Sequence, residues 1–223
     1  MRHGLPNPDP GRLVIDYVTE GDGRARGYDY VTATRGYDDA LLKSVWRGAM
    51  PRGRGWASFI GARSIKAFPL ADAQIAISEV TVTNRADETG RRGIRRAVID
   101  VMPPRLYDHH LHSRWQSYPA EVTAAARERH AALARVMGRA LRGLRKDQPL
   151  VLAHPYAGPR GWWLVEAVIL LLMIDPPRVL RQAADVLTFT TLALDHRAES
   201  RVVAMPDDYA ASVDGARVIS LYD

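Results

Sequence analysis

Cysteine is absent from all 223 residues, which excludes disulfide bonds, thiolate nucleophiles and cysteine-ligated metal sites. Several catalytic and phosphate-binding motifs are missing as well: Gly-x-Ser-x-Gly, His-Glu-x-x-His, Ser-x-x-Lys and Gly-x-x-x-x-Gly-Lys-Ser/Thr. A hydrolase with one of these motifs, or a P-loop nucleotide hydrolase, is therefore excluded. The absences favour a non-enzymatic protein, and we expect no cofactor.

Long apolar segments are lacking too. The longest apolar run, residues 162–174, is interrupted by Glu166 and is shorter than the roughly 20 residues that a membrane-spanning helix needs. Residues 1–8 do not contain the apolar core of a signal peptide. The run therefore predicts a buried helix, and we expect a cytoplasmic protein without membrane insertion.

Lysine is scarce, because 28 of the 31 basic residues are arginine. The net charge of +6 suggests an anionic partner such as a nucleic acid. An arginine bias beside abundant alanine is also typical of GC-rich coding sequences. The charge alone therefore does not establish nucleic-acid binding.

The overall composition, 47% hydrophobic and 25% charged, is typical of a globular protein. Its apolar patterning predicts an α+β fold. We predict a β-rich N-terminal subdomain with one helix over residues 1–104, a connection over 105–118, and an α/β C-terminal subdomain over 119–223. The second subdomain is expected to contain one long amphipathic helix and one buried helix.

Strands are predicted where apolar residues alternate, and helices where they recur every three or four positions. In the first half, the predicted strands cover 12–19, 28–34, 75–83 and 96–102, with a hairpin joining the first two. A helix is predicted over 38–46 and a partly extended segment over 59–69, whereas 102–118 is expected to be irregular. In the second half, the predicted helices cover 119–144, 161–174 and 178–183, and the predicted strands cover 150–153, 186–194, 201–205 and 217–221.

The connection over residues 84–96 has an unusual composition. It contains five arginines, although a tight β-connection requires only glycine and turn-forming polar residues. The excess predicts a recognition surface or a charge-paired loop, and Asp87 or Glu88 is close enough in sequence to pair with Arg91 or Arg92. The predicted partner-binding residues are Asp87, Arg91, Arg92, Arg95 and Arg96.

A nucleic-acid-binding module is the first alternative. The stretch containing Arg52, Arg54 and Trp56 is similar to RNA-contacting Arg-Gly segments in which an aromatic ring stacks on a base. The long helix predicted over 119–144 has a basic face with Arg135, Arg139 and Arg142. That face is equally typical of a core helix with a solvated outer side.

A metal-dependent hydrolase is the second alternative. In an extended segment, Asp108, His110 and His112 would point to the same side and could contribute two or three zinc ligands. The other interpretation is a polar connection whose histidines are exposed or hydrogen-bonded. A complete zinc site also requires further ligands, and no second cluster of His, Asp or Glu supplies them.

Several short segments occur in an order that resembles a known family. They are Gly-Tyr-Asp-Tyr-Val-Thr-Ala-Thr-Arg-Gly at 27–36, Asp-Ala-Leu-Leu at 39–42, Ala-Phe-Pro at 67–69, Asp-Glu-Thr-Gly-Arg-Arg-Gly at 87–93, Pro-Pro-Arg at 176–178 and Leu-Thr-Phe-Thr-Thr at 187–191. Together they resemble the N-terminal region of the bacterial GTPase-associated protein 1 family. The resemblance implies an adaptor encoded beside a small GTPase in a bacterial conflict or defence system, and it transfers no catalytic residue.

Overall fold

The computed structural model describes residues 10–18, 27–34, 36–50, 55–140, 148–155, 158–175, 189–190, 202–211, 213 and 215–221. The strands are β1 (Gly11–Val18), β2 (Gly27–Ala33), β3 (Arg63–Pro69), β4 (Ile75–Val82), β5 (Arg95–Met102), β6 (Leu150–His154), β7 (Phe189–Thr190), β8 (Val202–Pro206) and β9 (Arg217–Ser220). The α-helices are α1 (Asp39–Ala49), α2 (Pro104–Gln116), α3 (Ala120–Ala140), α4 (Gly158–Ile174) and α5 (Asp207–Ala210), and a 3-10 turn covers Trp56–Phe59.

The described strands form one mixed sheet in the order β2-β1-β5-β4-β3-β7-β8-β6-β9. The first five strands in this order are antiparallel, and the last four are parallel to one another. The two parts join where β3 pairs antiparallel with β7. The predicted α+β fold class is therefore confirmed, as is the hairpin between β1 and β2.

Helices cover the sheet on both faces. The largest hydrophobic cluster lies between the sheet and helices α2, α3 and α4, and it includes side chains from strands on both sides of the β3–β7 junction. On the opposite face, α1 covers the antiparallel strands and α5 covers the parallel ones. One sheet and one large core thus include residues from both predicted subdomains.

Helix α1 docks closely on the antiparallel sheet. The Asp38 side chain caps its N-terminus by accepting a hydrogen bond from the Leu41 N–H at 2.7 Å. Near its end, Gly48 faces the ring of Phe68, and an added Cβ at Gly48 would lie 2.3 Å from that ring. The Ser78 hydroxyl donates to the Ala49 carbonyl at 2.9 Å. Glycine at position 48 therefore permits the close helix–sheet contact.

The prediction of an irregular connection over 102–118 was wrong, because Pro104–Gln116 is helix α2. Pro104 occupies the first turn, where proline is tolerated because its missing N–H has no intrahelical partner. Leu111 and Trp115, four residues apart, are buried against the core, and Tyr107 packs beside them one turn earlier. This four-residue spacing indicates a helix that the proline pair and the histidines concealed.

The second half agrees with the predictions in part. Helix α4 is buried as predicted, except that Trp163 is 41% exposed while its neighbour Trp162 is buried. The predicted helix at 178–183 and most of the strand at 186–194 lie outside the described residues. Helix α5 was not predicted. Within the described ranges, no helix is both long enough and apolar enough to cross a membrane.

A group of charged side chains joins the helices to the sheet. Glu166 of α4 is fully buried and accepts a hydrogen bond from Arg63 of β3 at 3.1 Å. Arg114 of α2 lies 3.9 Å from the other Glu166 oxygen and donates to Glu79 of β4. Burial raises the pKa of Glu166, and the arginines together with a hydrogen bond from Tyr118 oppose that rise. Each charge therefore depends on the others for compensation.

Replacing Glu166 should destabilise the fold. Glu166→Ala is expected to lower the free energy of unfolding by about 3 kcal/mol, because Arg63 and Arg114 then share only Glu79. Urea denaturation measures the change. The matched control is Glu128→Ala on the exposed side of α3, for which we expect a change within about 0.5 kcal/mol. Equal effects of the two substitutions would contradict the role given to Glu166.

Candidate functional site

The connection between β4 and β5 is a turn that is stabilised by hydrogen bonds to one carboxylate. Asp87 Oδ1 accepts hydrogen bonds from the Thr89 hydroxyl at 2.6 Å and from the N–H groups of Thr89 and Arg91 at 2.9 Å each. Asp87 Oδ2 accepts from Arg91 Nε at 3.0 Å. These bonds, that of the Thr89 hydroxyl above all, lower the pKa of Asp87. The charge-paired loop, one of the two interpretations that the sequence supports, is present here, and Asp87 neutralises Arg91.

Two further arginines of the connection contact strand β1. Arg85 Nη1 lies 2.9 Å from Asp16 Oδ1, and Arg96 Nε lies 3.8 Å from Asp16 Oδ2. Arg95 and Arg96 are the first two residues of β5, and consecutive residues of a strand point to opposite faces of a sheet. Arg96 and Arg95 therefore belong to different surfaces.

Arg95 is held by aromatic rings. Its guanidinium carbon lies 5.6 Å from the centre of the Tyr28 ring and 5.3 Å from that of Trp56, within the range of a cation–π attraction. The Tyr28 hydroxyl accepts a hydrogen bond from the backbone N–H of Arg95 at 3.0 Å. The Tyr17 ring meets the Tyr28 ring edge-on, with 5.4 Å between their centres. These contacts fix the position of Arg95 relative to the hairpin and the 3-10 turn.

A cavity of about 510 Å³ lies among these side chains, and we call it the aromatic–arginine cavity. Tyr17 and Tyr28 line it from the β1–β2 hairpin, residues 55–57 from the start of the 3-10 turn, and Asp87 together with residues 91–95 from the connection. Four of the five predicted partner-binding residues line it, whereas Arg96 does not. Tyr17 and Tyr28 were not among the predicted site residues, and their only signal in the sequence is their position at the two strand ends next to the hairpin connection.

Arg92 differs from the other arginines of the connection. Arg85 and Arg96 contact Asp16, Arg91 is bound by Asp87, and Arg95 contacts two rings. Among the residues that the structure describes, nothing forms an ion pair, a hydrogen bond or a ring contact with the Arg92 side chain. Arg92 is exposed and lines the cavity. The cavity therefore contains an uncompensated positive charge.

Gly93 brings the connection into direct contact with the 3-10 turn. Its φ is +83°, a left-handed conformation that favours glycine. A Cβ added at Gly93 would lie 2.6 Å from the backbone nitrogen of Ala57 and 2.8 Å from the carbonyl carbon of Trp56. Backbone atoms cannot rotate away as the end of a side chain can. The absence of a side chain at position 93 therefore allows the two walls of the cavity to meet.

The predicted nucleic-acid residues do not form one surface in the described structure. Trp56 lines the cavity but is only 6% exposed, because its ring also belongs to the core. Arg135 and Arg139 are exposed on α3, which packs on α4 and β9. Arg52, Arg54 and Arg142 lie outside the described residues. Among the described residues of the predicted nucleic-acid site, Trp56 is the one that also lines the aromatic–arginine cavity.

The extended geometry on which the zinc hypothesis rested is wrong, because Asp108, His110 and His112 belong to helix α2. Residues two apart on a helix point in nearly opposite directions. His112 Nδ1 lies 2.8 Å from the Asp108 carbonyl, while His110 points towards Asp100 at 3.8 Å, and burial lowers the His110 pKa. Within the described part of the chain, no group of three or more His, Cys, Asp or Glu residues could hold a metal ion.

A second cavity, of about 500 Å³, is lined by Ser58 and Phe59 from the end of the 3-10 turn. It opens at the carboxyl ends of the neighbouring parallel strands β6 and β8, and its lining includes Phe59, Asp207, Asp208 and Tyr209. Neither Asp207 nor Asp208 forms an ion pair with any residue of the described ranges. The two cavities thus differ in charge, one lined by arginines and the other by carboxylates.

Comparisons with protein-family models, with curated proteins and with solved structures find no match to this chain. The conclusions about function therefore depend on the geometry of the described residues.

The contact at Gly93 should make this position less tolerant than Gly90. Gly93→Ala is expected to lower the free energy of unfolding by about 2–4 kcal/mol, because the new Cβ adds a backbone clash to the cost of a positive φ. Gly90→Ala is the matched control, since its φ is +79° but its surroundings are open, and should cost about 1–2 kcal/mol. Urea denaturation compares them, and equal losses would contradict the contact.

The hydrogen bonds of Asp87 should make the turn sensitive to pH. Because the folded-state pKa is lowered, the ionised carboxylate stabilises the fold in full above the unfolded value of about 4. That contribution is lost as the pH falls through the folded-state pKa. We expect the stability difference between wild type and Asp87→Asn to shrink on acidification, as measured by urea unfolding across this range. A difference that does not vary with pH would contradict the role of the charge.

Proposed function

We propose that this protein is a non-enzymatic adaptor that binds an anionic group of a protein partner in the aromatic–arginine cavity. The observation that carries the proposal is the uncompensated guanidinium of Arg92 beside the ring-held guanidinium of Arg95. An arginine fork binds carboxylates and phosphates through paired hydrogen bonds. Arg92 can therefore bind an external anion without first breaking an ion pair within the protein.

The chemistry of the lining supports binding and not catalysis. Guanidinium groups remain protonated at neutral pH and cannot act as general bases. The one carboxylate among the described lining residues, Asp87, already accepts four hydrogen bonds within the turn. These groups can hold and orient an anion, whereas none of the described carboxylates of the lining is available to transfer a proton.

The resemblance to the GTPase-associated protein 1 family provides the first partner to test. It implies that the partner is a small GTPase encoded beside this protein in a bacterial conflict or defence system. The surface of such a partner would need an acidic or phosphorylated side chain that can enter the cavity. We therefore propose a cytoplasmic adaptor for that GTPase, in which Arg92 is the main charged contact.

Nucleic-acid binding is the alternative function, because the lining of the cavity combines arginines with aromatic rings. The ring that the sequence proposes for base stacking, Trp56, is almost completely buried, whereas stacking needs an exposed ring face. The exposed arginines of α3 belong to a different element. A protein partner is therefore favoured over a nucleic acid.

Substitution of Arg92 tests the proposal. Arg92→Ala is expected to weaken binding to the neighbouring GTPase at least tenfold, since a hydrogen bond to a charged group contributes about 1.5–3 kcal/mol. Arg96→Ala is the matched control: it removes the same charge from the same connection but lies outside the cavity, and should bind like the wild type. Surface plasmon resonance with purified proteins measures both.

Three outcomes would each contradict a different part of the proposed function. Equal weakening by Arg92→Ala and Arg96→Ala would show that only net charge matters, and no binding by the wild type would contradict the GTPase as partner. Retention of the wild type on single-stranded RNA at low salt, lost in Arg92→Ala, would favour the nucleic-acid alternative, because phosphate contacts weaken steeply with salt.

A further inference from the structure

The carboxyl ends of β6 and β8 meet in an arrangement that is typical of ligand-binding sites in α/β sheets. The two strands are parallel neighbours, and their last residues, His154 and Pro206, are partners in the register. Helix α4, which follows β6, packs on one face of the sheet, whereas α5, which follows β8, packs on the other. In open parallel sheets, ligands bind in the crevice beyond the carboxyl ends of two such strands. The second cavity lies at this position, because Pro155 and residues 206–209 line it.

The charged groups that line the second cavity are the carboxylates of Asp207 and Asp208, and both side chains are exposed. Neither carboxylate forms an ion pair or a hydrogen bond with the residues that the structure describes. A carboxylate at neutral pH only accepts hydrogen bonds, so these groups favour a ligand that donates them and carries a positive charge. Such a cation would not have to displace a counterion from either residue.

The imidazole of His154 adds an acceptor at the end of β6. Its Nδ1 lies 3.2 Å from the Pro155 carbonyl oxygen, and because a carbonyl only accepts, this nitrogen carries the proton. Nε2 then has a free lone pair, and it has no hydrogen-bond partner in the described structure although the residue is completely buried. Burial lowers the pKa of His154, while the Pro155 carbonyl and the charge of Asp207 oppose that change. The ring is therefore neutral at neutral pH and does not repel a cation.

The other walls of the second cavity favour an organic cation over a metal ion. The rings of Phe59 and Tyr209 meet edge-on with 6.0 Å between their centres, and Pro155 and Pro206 add apolar surface. Aromatic rings attract ammonium groups and also pack against alkyl chains. A metal ion needs several ligands around one point, and within the described ranges no three His, Cys, Asp or Glu residues form such a group. A cation with an alkyl part therefore matches both the carboxylates and the walls.

We propose that the second cavity binds the primary ammonium group of an alkylamine. The ammonium group, which has three donors and no acceptor, would bind Asp207 and Asp208, and the alkyl chain would pack against Phe59 and Tyr209. A free amine and the lysine side chain of a polypeptide share this chemistry and are the two sources of the ligand. The site contains no residue of the aromatic–arginine cavity. The inference is therefore independent of the proposed adaptor function.

Isothermal titration calorimetry of the full chain with four probes tests the inference. The probes are n-pentylamine, n-pentanol, magnesium chloride and N-acetyl-lysine amide. We expect pentylamine to bind at least tenfold more tightly than pentanol or magnesium, since a hydrogen bond to a charged group contributes about 1.5–3 kcal/mol. Equal binding of pentylamine and pentanol would overturn the role of the carboxylates, and tighter binding of magnesium would overturn the organic cation. Binding of N-acetyl-lysine amide at least as tight as that of pentylamine would assign the site to a polypeptide lysine, and weaker binding would assign it to a free amine.

Variants link the binding to the second cavity. Asp207→Asn and Asp208→Asn keep the shape of the side chains but remove the charge, and each should weaken pentylamine binding at least tenfold. The matched control is Asp39→Asn, which removes an exposed carboxylate from the first turn of α1 and should bind like the wild type. Arg92→Ala, in the other cavity, should also leave amine binding unchanged.

The same variants can contradict the inference. Because Asp207 and Asp208 are exposed and unpaired within the described structure, both variants are expected to unfold at the wild-type temperature, so a loss of binding reports on the site. Unchanged binding in Asp207→Asn and Asp208→Asn would overturn the site. Equal weakening by Asp39→Asn would show that the amine responds only to net charge, which would overturn it as well.

Discussion

The buried carboxylate of Glu166 is the charged group on which the packing of helices against sheet depends. It extends from the apolar helix α4 to Arg63 of β3 and lies beside Arg114 of α2, whose charge Glu79 of β4 also compensates. Taking such charges out of water is costly, so each is tolerated only while the others are in place. Strand β3 also pairs with β7, the first of the parallel strands in the sheet order. The network therefore fixes the helical layer next to the junction of the two sheet parts.

The aromatic–arginine cavity is positioned by the same strands. The 3-10 turn ends shortly before β3, and the backbone just after the turn is held on β4 by the hydrogen bond from the Gly61 N–H to the Val82 carbonyl at 2.8 Å. The connection is closed at its base by the Thr83 N–H, which donates to the Ile94 carbonyl at 2.7 Å. Both walls thus continue the backbone hydrogen bonding of the central sheet. A surface held in this way loses little conformational entropy when a ligand binds, which favours recognition by a preformed site.

The sequence predicts the structure correctly where the physical signal is local. Strand alternation located β1, β4 and β5, and the Asp87–Arg91 pair follows from a separation of four residues within one turn. The prediction failed on α2, where prolines and histidines outweighed the regular spacing of buried residues. It also could not place Tyr28 beside Arg95, because these residues are 67 positions apart and meet only through sheet pairing. The cavity arises from such long-range contacts, which composition and motifs do not encode separately.

The five arginines of the connection show why the count of charges is a weak guide to function. They are equivalent in composition, yet Asp16 compensates two of them, Asp87 a third, and two rings hold a fourth. A surface ion pair contributes little stability, but it does determine which guanidinium is already occupied. A side chain that binds an anion must carry a positive charge that no other group of the protein already compensates. Among the described residues of the connection, Arg92 meets this requirement. Arg92 also lines a cavity with aromatic walls, so the shape of the cavity acts together with the charge. The proposed anion binding therefore depends on which arginine lacks a counterion, and not on how many arginines the connection contains.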